Sequence, residues 1–79
     1  PRLKARALLL RAKAIAASDA PVTQIRRAFD EAIEAHKDEN PRERARAHQT
    51  YADALAARSQ DKDAFAQARK ALELVGPKI

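Results

Sequence analysis

The 79-residue chain is long enough for one small domain with a modest core. Twenty alanines, with leucine, arginine, lysine, glutamate and glutamine at most other positions, favour helix, and no stretch shows the two-residue alternation of a half-buried strand. The absence of cysteine excludes a disulfide framework and a thiolate metal site, while the net charge of +5 points towards acidic partners.

Taken in chain order, residues 3–17 form the first predicted helix. Its run Ala7-Leu8-Leu9-Leu10 follows basic residues, but it is far too short for a signal peptide or for the roughly 18 residues of a membrane span. A cytoplasmic protein without a membrane partner is expected. Ser18-Asp19-Ala20-Pro21 breaks this helix, because proline disfavours helical geometry in the residue before it and suits the first turn of the next. The second helix is predicted over about residues 21–37, with Ile25, Phe29, Ala32 and His36 on one face.

Asn40-Pro41-Arg42-Glu43 combines a capping side chain, proline at the first helical position and glutamate three residues after the cap. This signal opens a third helix to about Arg58, whose buried face is predicted to hold His48, Tyr51, Ala52 and Leu55. Asp61 and Asp63 suit the start of a fourth helix, where negative charge complements the dipole. Phe65, Ala68, Ala71, Leu72 and Val75 are expected along its buried stripe, and Gly76-Pro77 ends it. Phe29, Tyr51 and Phe65, the only aromatic residues, all fall on predicted core stripes rather than on a base-stacking platform.

The two halves repeat. Ala5-Arg6-Ala7 aligns with Ala45-Arg46-Ala47, and residues 12–17 with 52–57, at an offset of forty. In the second helix of each half the offset is 39, pairing Phe29-Asp30-Glu31-Ala32-Ile33 with Ala68-Arg69-Lys70-Ala71-Leu72. The expected fold is therefore all-α, as two stacked antiparallel helical hairpins at about residues 3–37 and 41–75. A plain four-helix bundle is the alternative arrangement.

Tyr51-Ala52-Asp53-Ala54-Leu55, followed by Ser59-Gln60-Asp61, Ala64, Ala71-Leu72-Glu73-Leu74 and Pro77, resembles a tetratricopeptide repeat. Ala52, Ala64 and Ala71 fall where that family places small residues between its two helices. In the first hairpin Ala12 and Ala32 match, and Ile25 departs. The Trp-Leu-Gly-Tyr signature is missing, and the forty-residue period exceeds the usual repeat of about 34 residues, the extra length falling in residues 35–44.

The resemblance implies a non-catalytic scaffold that binds a peptide or helix of another protein along a concave face lined by the first and third helices. By position, the groove residues it implies are Arg6, Leu9 and Lys13 from one repeat and Arg46, Gln49 and Asp53 from the other. The first helix, counted with Arg2 just before it, carries five cations and no acid; the third adds four arginines against two acids. An acidic ligand would be steered to that face. The asparagines of the carboxylate-clamp version of the fold are missing from both helices. Arrays of this kind need about three units to cover their core. Flanking repeats in a longer protein are thus expected, and self-association is the other outcome; the start at Pro1 and the Gly76-Pro77 hinge favour the former. Similar alanine- and arginine-rich arrays belong to bacterial regulators, beside a DNA-binding or nucleotide-binding domain.

No catalytic, cofactor or metal site is expected. His36 and His48 lie on different helices without the four ligands zinc prefers, so the first is expected to end a helix and the second to pack within its hairpin. Asp30, Glu31 and Glu34 sit among Arg26, Arg27 and Lys37 as ordinary surface pairing. The rival reading is a basic helical nucleic-acid-binding domain, suggested by a pI near 10.1. Long helices argue against a helix-turn-helix reader.

Overall fold

The structure, a computed structural model, describes residues 2–76. Four helices follow one another: α1 Arg2–Ala17, α2 Val22–Ala35, α3 Pro41–Ala57 and α4 Asp61–Val75. There is no strand among the described residues. α1 packs on α2 and α3 on α4, and α3 also touches α1 and α2. The chain is thus two stacked helical hairpins with α3 at the centre. The Cα atoms extend 40 × 30 × 14 Å. The short dimension is that of two helix layers, since interaxial spacings of about 8–10 Å add to a Cα cylinder about 4.6 Å wide.

Local signals set the boundaries. Asn40 Oδ1 accepts the Glu43 N–H at 2.9 Å, with Pro41 directly behind the cap. α2 stops at Ala35, two residues short of the sequence expectation, and His36 serves as its C-cap. α3 ends in a Schellman turn: Gln60 N–H reaches Leu55 O at 2.9 Å and Ser59 N–H reaches Ala56 O at 3.0 Å. Closing that turn puts Ser59 at φ 62°, a conformation more natural to glycine. Gly76 also has positive φ as the C-cap of α4, whereas Pro77 lies outside the described residues.

One core crosses both hairpins. Leu9 and Ala12 of α1 and Ile25, Phe29 and Ala32 of α2 meet Ala47, Tyr51 and Leu55 of α3 and Ala64 of α4. All four residues of the predicted α2 face are buried, His36 included. Ala12, Ala32, Ala52, Ala64 and Ala71 are buried as well, letting helices approach closely.

The fourth helix corrects the sequence reading. Phe65 is 68% exposed, and Leu72 and Val75 are also exposed. The helix turns its small residues, Ala64 and Ala71, towards α3 and leaves the large stripe outside. The reason is topological: α4 packs along α3 and reaches α2 only at its first turn, through Asp63 and Ala64, so nothing described covers its far side. A periodic apolar stripe can be buried only where a second neighbour covers it.

Polar contacts tie the hairpins together. Arg58, at the end of α3, donates to Ala20 O at 2.7 Å, to Ala16 O at 3.2 Å and to Ser18 O. One guanidinium therefore caps the end of α1 and the turn after it. Arg26 of α2 donates to Asp63 of α4 and to Gln60 Oε1 at 3.3 Å. Asp63 holds the Arg26 pKa above its ordinary value, mainly through that hydrogen bond. His48 Nδ1 and Gln67 Oε1 are 2.7 Å apart within the second hairpin.

Candidate interaction groove

The helix period brings Arg6, Leu9, Leu10 and Lys13 to one side of α1. Across from them, the first half of α3 presents Glu43, Arg46 and Thr50, and His36 and Glu39 from the α2–α3 connection contribute the remaining wall. Together these residues enclose an open cavity of about 310 Å³. Four of the six residues implied by position, Arg6, Leu9, Lys13 and Arg46, line it.

The other two are placed differently. Gln49 lines a second concavity between α3 and α4, and its Nε2 donates to Asp53 Oδ1 at 3.1 Å. They pair with each other one turn apart. Leu9 belongs to the core as well as to the groove, so it forms the floor rather than a free contact. Leu10, 57% exposed, offers the accessible apolar surface.

Charge in the groove is mixed but asymmetric. Arg6, Lys13 and Arg46 are exposed, against the carboxylates of Glu39 and Glu43. The ion pairs found among the described residues, Arg11–Glu31, Arg26–Asp63, Lys37–Glu34 and Arg69–Glu73, include none of these three cations. Their charge is thus available to a ligand. By contrast, Arg58 is spent on the α1–α2 turn, so the charge total of α3 overstates what the groove offers.

His36 is held in place: its Nδ1 donates to Ala32 O at 2.8 Å, directing Nε2 away from its own helix. Thr50 Oγ1 donates back to Arg46 O at 2.8 Å. Sequence reasoning passed over His36, Glu39, Glu43, Leu10 and Thr50 as groove residues. Glu43 and His36 were visible as helix-end signals, but their nearness to α1 depends on how the hairpins stack. A larger concavity of about 460 Å³ lies between α1 and α2, where Arg11 is 3.7 Å from Glu31.

Comparison with protein-family models, curated proteins and solved structures finds no match to this chain. No described helix is long and apolar enough to cross a membrane.

Proposed function

We propose that the chain is a non-catalytic protein-interaction module of tetratricopeptide-like type, acting in the cytoplasm, which holds an acidic peptide or helix of another protein between α1 and α3. The observation that carries this reading is the convergence of Arg6, Lys13 and Arg46, all outside the described ion pairs, around the apolar Leu9–Leu10 floor. Cations around an apolar floor suit a segment with one or two apolar anchors flanked by carboxylates. Affinity capture on the immobilised chain, with and without nuclease, tests it. The reading expects a discrete protein that survives nuclease and a moderate salt wash, and whose acidic segment loses binding to the Arg6→Glu, Lys13→Glu and Arg46→Glu variants.

A second reading draws on α1 itself, which exposes Lys4, Arg6, Arg11 and Lys13 with no acid on the same helix. These cations form two rows on nearly opposite sides of the helix, Lys4 with Arg11 and Arg6 with Lys13, and either row suits a nucleic-acid backbone. Phosphate binding would fall steeply with salt and disappear with nuclease, whereas an apolar-anchored contact persists.

A further inference from the structure

The internal repeat equates a contact made inside the chain with two faces left open on its surface. Within the chain, α3 sits on the first hairpin and places Ala47, Tyr51 and Leu55 against α1 and α2, with Ala54 packed at the edge. The receiving residues include Leu9 on α1, Phe29 and Ala32 on α2, and His36 at the C-cap of α2. Shifted by forty residues on the first helix and 39 on the second, they become Gln49, Ala68, Ala71 and Val75. These four line an open groove of about 420 Å³ between α3 and α4, together with the exposed Leu72.

The complementary half is also present. The α3 residues Tyr51 and Leu55 correspond to Arg11 and Ile15 of α1, and the small residues Ala47 and Ala54 to Ala7 and Ala14. Ala7 and Ala14 are exposed, and Leu3, 81% exposed, and Leu10 complete a stripe at helical spacing with them. A single chain therefore carries a seat of the kind that receives α3 and, on α1, an exposed apolar stripe that shares Ala7 and Ala14 with the equivalent face, although Arg11 stands where α3 has Tyr51.

We propose that copies of this chain associate head to tail, the Leu3–Ala7–Leu10–Ala14 stripe of one copy seated on the α3/α4 groove of the next. The contact joins two different patches, so it is heterologous and extends beyond a dimer. It shares Leu10 with the acidic-ligand groove, so the two contacts compete there, but it does not depend on that reading. Charge opposes it: Arg42 and Arg46 rim the groove, and Lys4 and Arg11 flank the stripe. At the internal seat Glu43 lies close to Arg46 in the groove, but its counterpart on α1 is the uncharged Leu3. The association is thus apolar with like-charged rims, and it strengthens as salt rises from about 0.1 M to about 1 M, where screening shortens from about 10 Å to about 3 Å. Nucleic-acid binding has the opposite salt response.

Sedimentation or light scattering of the chain from about 10 µM to about 1 mM tests this, a range in which weak complexes become populated. The mean mass should rise from 8.7 kDa towards multiples of it, and more so at high salt. Ala7→Lys blocks the stripe and Leu72→Lys blocks the groove, so each variant alone should remain monomeric. Mixed together, they should form a one-to-one dimer and go no further, because each retains the half the other lacks. Helical circular dichroism and thermal midpoints confirm folding, and Ala14→Lys with Val75→Lys provide a second pair if either variant is unfolded. A mass fixed at 8.7 kDa throughout would overturn the proposal and leave both faces to helices of other sequence. A wild-type assembly that both variants leave unchanged, or a mixture that fails to pair, would overturn it equally.

Discussion

Phe29 of α2 and Tyr51 of α3 stack with ring centroids 5.0 Å apart and planes within 3° of parallel. Parallel rings at that separation are offset, a geometry aromatic pairs prefer to face-to-face overlap. Each ring comes from a different hairpin and both are buried, so the pair joins the two halves at the centre of the core. Phe29→Ala should destabilise the chain by about 3–5 kcal/mol in urea denaturation. Phe65→Ala, at an exposed position, should cost less than about 1 kcal/mol. Equal losses for the two would contradict the placement of α4.

Tyr51 also gives the chain an alkaline limit. Burial raises its pKa above the ordinary value, and the nearby Asp30 carboxylate adds to this, partly offset by Arg26. The folded chain therefore holds the phenolic proton more tightly than the unfolded chain. The resulting stability is fully present below about pH 10, the unfolded value, and is lost as pH rises through the higher folded value. With a single tyrosine in the sequence, ultraviolet absorbance follows this one group. Tyrosinate should appear late in the folded protein, and Tyr51→Phe should lose less stability than wild type between about pH 9 and about pH 11. Titration at the ordinary tyrosine value would remove Tyr51 from its buried place beside Asp30.

Ser59 occupies a left-handed conformation at φ 62° because the Schellman turn after α3 requires it. A non-glycine residue there costs about 1–2 kcal/mol. Allowing for the extra freedom glycine gains when unfolded, Ser59→Gly should raise stability by about 0.5–1 kcal/mol in chemical denaturation. A loss of stability would mean that the turn is not built this way.

Arg58 holds three carbonyls from the end of α1 and the turn that follows. Arg58→Ala should cost about 1–2 kcal/mol, since two of those contacts are part-buried and the third is exposed, so water can replace the lost donors. Arg58→Lys should recover only part of this, because an ammonium lacks the planar fork. Amide exchange in residues 16–20 should quicken more than in α4.

Legibility in the sequence followed how local each cause was. Asn40, Pro41 and the Ile25–Phe29–Ala32–His36 stripe act within a turn or two, and helix starts and the α2 face could be read directly. The exposure of Phe65 could not, since periodicity reports that a stripe exists and not whether a neighbour covers it. Arg58 read as one more surface cation, although its three acceptors lie about forty residues earlier in the chain. In the groove, Arg6, Lys13 and Arg46 were implied by position through the resemblance to a tetratricopeptide repeat. Glu43 of α3, and Glu39 and His36 of the α2–α3 connection, join them only because the second hairpin stacks against α1, a consequence that no local pattern carries.

The central claim is that an acidic segment is held between α1 and α3. Its most direct test is an amide-resolved NMR titration with a synthetic amphipathic helix carrying two leucines flanked by glutamates. The account predicts saturable shifts concentrated in residues 6–13 and 43–50, weakened about 2–5-fold by each of Arg6→Ala, Lys13→Ala and Arg46→Ala, as expected for exposed charge pairs. Shifts confined to other faces, or affinity indifferent to all three substitutions, would contradict it.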